Sequence, residues 1–378
     1  MISKLPNVTT SIFTVMSKMA SEYGALNLSQ GFPNFESDPV LIEAVSKAMK
    51  DGFNQYAPMQ GDLGLRERIY EKVQTLYGKK YNPTSEITIT AGATQAIFTA
   101  IAATIHKGDE VIIFAPAYDC YEPAIKLFGG VTKAIQLKPP FYTPNWGEVA
   151  QAISANTKMI IINSPHNPSG TVFSEKDMLQ LQILADKHNL LVLSDEVYEH
   201  IIFDTEIHQS AARFEALSQR TFITASFGKT FHNTGWKMGY CLAPENLMKE
   251  FQKVHQYNVF CVNHPVQKGL ANYLENPSRF LSIPNFYEEK RDFFLNLIKD
   301  SKFQFMPSKG TYFQLLDYSK ITDESDIAFA EKLTKEFKLA SIPTSVFNKN
   351  QADFKQLRVC FAKTNETLQQ AAAILNNI

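Results

Sequence analysis

Lysine, aspartate and amide side chains become reactive only in particular company, and four short stretches of this chain supply such company. The first is SFGKTFHNTGWK, residues 226–237. Its Gly228-Lys229-Thr230 matches the end of a phosphate-binding loop, G-x-x-x-x-G-K-[ST]. The position of that loop's first glycine is taken by Ile223, inside an apolar run, and turn-forming residues follow Thr230 where a helix should start. Nucleotide hydrolysis is set aside on those grounds, and the absence of G-x-G-x-x-G weakens a dinucleotide alternative. Most lysines are solvated surface groups. Lys229, however, has Phe227 and Phe231 on either side and Trp236 close by. Such surroundings penalise an ammonium, lower its pKa and favour the neutral amine that forms Schiff bases. Ser226 and Lys237 offer a hydroxyl and a cation to a phosphate. Together these residues suit a lysine that carries pyridoxal phosphate (PLP).

Three further stretches fit the same chemistry. Residues 190–198, LLVLSDEVY, read as a buried strand ending in an acid. In doubly wound sheets the carboxyl ends of the strands face the ligand crevice. Asp195 there would hold the pyridinium nitrogen of the cofactor and make the ring an electron sink, with Tyr198 in reach of the ring hydroxyl. A helix N-cap is the plainer account of such an aspartate, and without Lys229 it would be preferred. Residues 163–170, NSPHNPSG, follow the run Lys158 to Ile162, and two prolines and a glycine fix a turn there. That turn either is ordinary or aims the Asn167 amide at the ring oxygen; His166 is read as structural. Residues 90–97, TAGATQAI, run from a strand through small residues into an apolar helix. Backbone N–H groups at such a start bind phosphate, assisted by the helix dipole. Thr94 is either an added hydroxyl or a simple N-cap.

The elements that must position these residues follow from the apolar pattern. Short apolar runs span Glu86 to Thr90, Glu110 to Phe114, Lys158 to Asn163, Leu190 to Ser194, Thr221 to Ala225 and Met238 to Ala243. Helical patterns such as Asp119 to Phe128 and Ser174 to His188 lie between them. This alternation predicts βαβ units and a largely parallel sheet covered on both faces. After about position 280 the pattern changes to a smaller α+β arrangement. It holds helices at Phe286 to Lys299, Asp326 to Phe337 and from Asn365, with strands at Gly310 to Leu316 and Gln356 to Phe361. The helix around Ser11 to Glu22 is expected to pack with that part. The charge run Glu288 to Asp292 reads as a solvated helix face. Expected boundaries are 1–35 for the N-terminal segment, 36–280 for a large domain and 281–378 for a small one.

Composition bounds the rest. The chain has 378 residues, 44% hydrophobic and 20% charged, with a formal net charge of −1. That balance offers no basic footprint for nucleic acid and no field toward an anionic membrane. The longest strongly apolar stretches are strand-sized, and no signal peptide is evident. Cys120, Cys241, Cys261 and Cys360 show neither C-x-x-C nor zinc spacing, so they are read as reduced thiols and no metal is expected. The protein is read as cytoplasmic.

The motifs S-x-x-K-x-F-x-x-T-G-W-K, S-D-E-V-Y, P-H-N-P-S-G and A-G-A-T-Q resemble those of class I/II aminotransferases of PLP fold type I. Residues 28–35 (LSQGFPNF), 54–57 (NQYA) and 357–363 (LRVCFAK) extend the resemblance toward both ends, and the kynurenine and methionine aminotransferase group is most similar. The resemblance implies a large domain with a mostly parallel seven-stranded sheet sandwiched by helices, plus a smaller α+β domain. It implies Lys229 as covalent attachment point and general base, Asp195 as partner of the pyridine nitrogen, and Asn167 and Tyr198 on the ring oxygen. Gly92, Ala93, Thr94, Ser226 and Lys237 would surround the phosphate, and Tyr118 would stack on the ring. Tyr56 would reach the phosphate of a neighbouring subunit, making the unit a homodimer. Arg358 would grip the substrate carboxylate, helped by Asn167 and the Gly31 backbone. Phe13, Tyr56, Tyr118 and Phe260 would line an apolar, aromatic side-chain pocket.

The implied activity is ping-pong transfer of an amino group from Met, Phe, Tyr, Trp, Leu, kynurenine or Gln to a 2-oxo acid. Lys237 stands where aspartate aminotransferases have arginine, and Thr94 where some kynurenine enzymes have an aromatic residue. Three other readings fit the same motifs: a cysteine-S-conjugate β-lyase, an aminotransferase-like regulatory protein, and a PLP-binding structural protein without turnover. The regulatory reading is weakened because the fold's own motifs begin by Gly31.

Overall fold

The computed structural model describes residues 2–378. In chain order the N-terminal part runs α1 (Ile12–Tyr23), β1 (Leu26–Asn27), α2 (Pro39–Lys50), α3 (Leu63–Tyr77), β2 (Ile87–Thr90), α4 (Gly92–Thr104), β3 (Glu110–Ala115), α5 (Tyr121–Leu127), β4 (Val131–Gln136) and α6 (Trp146–Ala152). Next come β5 (Thr157–Asn163), α7 (Glu175–Lys187), β6 (Leu191–Asp195), α8 (Glu215–Ser218), β7 (Thr221–Ser226), α9 (Phe227–Thr230), β8 (Gly239–Leu242), α10 (Glu245–Asn258), α11 (His264–Tyr273) and α12 (Ser278–Leu281). The chain closes with α13 (Ile283–Ile298), β9 (Phe313–Asp317), α14 (Asp326–Lys335), β10 (Leu339–Ala340), β11 (Ile342–Pro343), β12 (Gln356–Cys360) and α15 (Asn365–Asn376).

Seven strands form one sheet in the order β2-β8-β7-β6-β5-β3-β4. Only β8 runs against its neighbours. Its central strands are apolar on both faces: Met159 to Ile162 and Val192 to Leu193 are buried throughout. A strand with no solvated side needs helices above and below. One apolar cluster contains Ile89, Ile160 and Val192 with Leu65 and Leu181 from the helices; another contains Ile161, Leu193 and Phe222 with Ile97 and Phe251. The carboxyl ends of β2, β3, β5, β6 and β7 meet at one edge, and β8 begins there.

A separate apolar cluster surrounds the antiparallel sheet β11-β12-β9. It gathers Phe294, Phe313, Phe329, Val359 and Leu368, and reaches α1 through Met16. Ser11 caps α1 by accepting the Thr14 N–H, and Gly24 ends it in the left-handed region at φ 60°.

Two features differ from the sequence reading. Strand β4 carries no apolar run: Thr132, Lys133 and Gln136 interrupt it because it is the sheet's half-exposed edge. The charge run on α13 is a solvated face except at one position: Glu289 and Asp292 are exposed and Glu288 and Lys290 half-buried. Arg291 is buried, with its guanidinium clamped on both Asp204 oxygens at 2.7 and 2.8 Å and donating to Ser308 O at 2.8 Å. A planar fork met by a carboxylate and a carbonyl is satisfied away from water, which charge spacing alone does not reveal.

Candidate active site

Most of the chemistry-bearing residues converge on a cavity of about 280 Å3 at the carboxyl edge of the main sheet. Phe13, Gly31, Gly92, Ala93, Thr94, Tyr118, Asn167, Asp195, Tyr198, Ser226, Lys229, Lys237 and Arg358 all line it.

Lys229 is presented by α9, a single helical turn continuing β7. Ser226 caps that turn by accepting the Lys229 N–H at 3.3 Å, so one residue ends the strand and orients the lysine. Lys229 Nζ donates to Gly31 O at 3.3 Å and lies 5.8 and 6.0 Å from the ring centres of Tyr312 and Tyr198. Burial disfavours its charged form and lowers its pKa to about 8, with Lys237 and Arg358 pushing the same way against Cys360 and Asp195.

Asp195 ends β6 and is buried. Tyr121 Oη donates to its Oδ2 at 2.5 Å, and the Val197 N–H reaches Oδ1 at 3.3 Å. A turn follows it, so it caps no helix. Burial raises its pKa to about 6, partly offset by the Tyr121 hydroxyl.

The loop after β5 is tied to Asp195 by Asn163. That amide donates to Asp195 O at 2.9 Å and accepts the Asn167 N–H at 2.8 Å. Asn167 Oδ1 in turn accepts from Arg358 Nη1 at 3.0 Å. His166 bonds Ser169 Oγ and Pro116 O through its two ring nitrogens, and burial pushes its pKa down to about 4. A neutral imidazole with both nitrogens engaged holds the loop together.

Arg358 projects from β12 and is 1% exposed. Its Nη2 donates to Ser29 O at 3.0 Å, and the guanidinium stacks 3.9 Å from the Phe313 ring centre and 5.1 Å from Phe13. Its Nε is buried with no hydrogen-bond partner among the described residues. A buried donor of this kind is costly unless something accepts from it.

At the other end of the cavity, Thr94 lies in the first turn of α4, while Ala91 takes the cap position without a side-chain bond. Gly92, at φ 74°, brings the helix start against Lys237: a Cβ there would meet Lys237 Cε and Nζ at 3.4 Å. Backbone N–H groups, an ammonium and the Ser226 and Thr94 hydroxyls thus share one corner, a donor set suited to a phosphate dianion. A phosphate corner, a buried amine, an aromatic face at Tyr118 and an acid on one cavity fit PLP.

Tyr56 and Phe260 do not enter the cavity of their own chain. They sit on the surface, 81% and 42% exposed, edge to face at 5.4 Å. Within one chain, Phe13 and Tyr118 of the expected aromatic lining border the cavity, and Phe313, Ile97 and Met238 stand with them. Tyr121 and Phe313 belong to the site without belonging to any of its sequence motifs. Tyr121 lies three residues beyond Tyr118, which is the one local signal; Phe313 sat unremarked in an apolar strand. Among the described residues no cluster of His, Cys, Asp or Glu is placed to hold a metal, and no helix is long and apolar enough to cross a membrane.

Comparison with known proteins places this geometry. A family model described as aminotransferase class I and II matches residues 23–375. The chain is 45% identical over 377 residues to a methionine aminotransferase of Escherichia coli, covering 100% of this chain and 98% of that one. It is 33% identical over 401 residues to a kynurenine–oxoglutarate transaminase of Dictyostelium discoideum, covering 96% and 92%. The crystal structure of an Escherichia coli protein with methionine aminotransferase function superposes with a TM-score of 0.98 at 45% identity, covering 100% and 99%.

Proposed function

The chain belongs to the class I and II aminotransferases, and on that premise we propose that it moves the amino group of an apolar or aromatic L-amino acid, methionine foremost, to a 2-oxo acid. PLP, the cofactor of this family, would be held on Lys229. When bound, it supplies an electron sink that lets the Cα–H bond of an amino acid ionise and stores the nitrogen for a second substrate.

The residues divide the remaining work. Gly92, Ala93, Thr94, Ser226 and Lys237 bind the phosphate. Asp195, as a carboxylate, would pair with the protonated pyridine nitrogen, while Tyr198 and Asn167 would hold the ring oxygen. Tyr118, on the cavity wall, would cover one face of the ring. Arg358 takes the substrate carboxylate by its fork, and the unpartnered Nε supports that role. Asn167, already bonded to Arg358, aligns the carboxylate with the ring. Lys229, as a neutral amine, would act as general base on the Cα proton and carry it, a role its lowered pKa favours. Two substrates using one cavity in turn give ping-pong kinetics.

The observation that carries the reading is a buried amine in one cavity with a buried acid and a buried arginine whose Nε lacks a partner. The apolar substrate class is supported by Phe13, Ile97, Tyr118, Met238 and Phe313 around the cavity, and by Arg358 being the one arginine among its described lining residues. A dicarboxylate would lack a second fork within this chain. A homodimer belongs to the same reading, with the exposed Tyr56 reaching its neighbour's phosphate corner. The experiment is to add amino acids singly to the holoenzyme and follow the cofactor's visible absorbance. Methionine and aromatic amino acids should bleach it fastest. Fastest bleaching by aspartate would overturn the substrate class, and no bleaching by any amino acid would overturn the function.

A further inference from the structure

Behind the turn that carries Asp195 and Tyr198 lies a second charged cluster that amino transfer does not use. Glu199 follows Tyr198 but is directed into the interior between α3 and β8. Its Oε1 accepts from Lys72 Nζ at 2.5 Å and Tyr240 Oη at 2.7 Å, and its Oε2 from Tyr77 Oη at 2.7 Å. Lys72 Nζ also donates to Tyr240 Oη at 2.6 Å and lies 3.3 Å from His200 Nε2. Lys72, Glu199, His200 and Tyr240 are all buried. Burial opposes the charge on Glu199, yet Lys72 and the hydroxyls hold its carboxyl well below the usual range. Burial pushes His200 down to about 3, so it offers Lys72 a neutral ring nitrogen.

A buried ion pair is a poor source of stability, because apolar side chains of similar volume do as well or better. What it can supply is fixed geometry, and the elements joined here give that geometry a use. The Glu199 N–H donates to Glu196 O at 2.9 Å, closing the turn around Tyr198. Glu196 is itself held by Ser194 Oγ at 2.7 Å, His208 Nε2 at 2.8 Å and the Ala211 N–H at 2.9 Å. Asp195 and Tyr198 therefore face the cavity while the two glutamates of the same turn are anchored behind it. Tyr240 stands opposite Ala225 in the β7–β8 ladder, one residue before Ser226. The cluster thus connects the Tyr198 turn to the strand that presents Lys229, with α3 as the brace.

We propose that Lys72 is a positioning residue. Its ammonium, through Glu199 and Tyr240, sets where Tyr198 stands relative to the Lys229 strand. The proposal rests on the reading of the cavity as a PLP site.

The test compares wild-type holoenzyme with Lys72→Met and Tyr240→Phe, with folding checked by thermal melting and circular dichroism. Two readouts do not depend on turnover: the rate of cofactor loss on dilution, and the pH midpoint of the cofactor's visible absorbance. A displaced Tyr198 hydroxyl should speed cofactor loss about tenfold, the scale seen when an outer partner of a directly binding group is removed. It should also move the midpoint upward, because a hydroxyl that favours the ring's anionic oxygen is lost. Tyr240→Phe keeps shape and charge, so it should fold and shift both readouts in the same direction by less. If Lys72→Met fails to fold, Tyr240→Phe decides alone. Folded variants with the wild-type loss rate and midpoint would overturn the role of Lys72. Wild-type protein that takes up no PLP would instead overturn the function on which the proposal stands.

Discussion

At the scale of single residues, the site is defined by two groups displaced from their usual protonation. Lys229 titrates near 8 because burial disfavours its charge. In apoprotein, acylation of this amine should therefore rise with a midpoint near pH 8; a midpoint at the ordinary lysine value would contradict its burial. Asp195 is displaced upward to about 6 by the same cause. Its folded-state pKa exceeds its unfolded value, so the folded chain holds that proton more tightly. Wild-type apoprotein should accordingly lose stability relative to Asp195→Asn as pH climbs from about 4 through 6, measured by urea unfolding across that range. Tyr121→Phe removes the donor to Oδ2 and should raise the Asp195 pKa further, a shift that carboxyl infrared bands would show. Lys229 and Asp195 were legible because their immediate neighbours announce a buried strand end. Tyr121 and Phe313 were not, since each matters through a partner at least 45 positions away, Asp195 for one and Arg358 for the other.

At the scale of elements, alternating apolar runs made the central strands legible, because a strand buried on both faces has no polar positions to disguise it. Edge strand β4 escaped for the opposite reason: of its residues only Ile135 is buried. Arg291 misled because a buried, fully paired guanidinium looks in sequence like any exposed charge. Contacts between elements were the least legible. Helix α11 approaches α2 at Gly269, where an added Cβ would meet Val45 Cγ2 at 2.4 Å, its N at 2.9 Å and its Cα at 3.0 Å. Helix propensity favours alanine over glycine by about 1 kcal/mol. Two of the three contacts are nevertheless with backbone, which cannot rotate aside. Gly269→Ala should therefore destabilise the protein by about 1–3 kcal/mol, as overpacking does, and denaturant melts would measure it. A stabilised variant would show that α2 can slide.

At the scale of the whole molecule, the exposed Tyr56–Phe260 pair is where the proposed homodimer can be tested. If Tyr56 serves its neighbour's site, inactive Lys229→Ala and impaired Tyr56→Ala subunits should complement when unfolded, mixed and refolded. Half of randomly paired dimers are hybrids, and one site in each hybrid holds both native residues, so about a quarter of wild-type activity should return. Absence of recovery with normal dimer assembly would place Tyr56 outside the shared site. The cavity also draws its walls from two apolar cores. Lys229, Asp195 and the phosphate corner come with the main sheet, whereas Arg358 and Phe313 come with the second. Loosening the second core would therefore remove the substrate's arginine while leaving most of the cofactor's contacts in place. A molecule whose principal sheet is set, but whose other half is loose, could capture the vitamin while having no means to seize an amino acid. Cofactor uptake and turnover would then be separable losses.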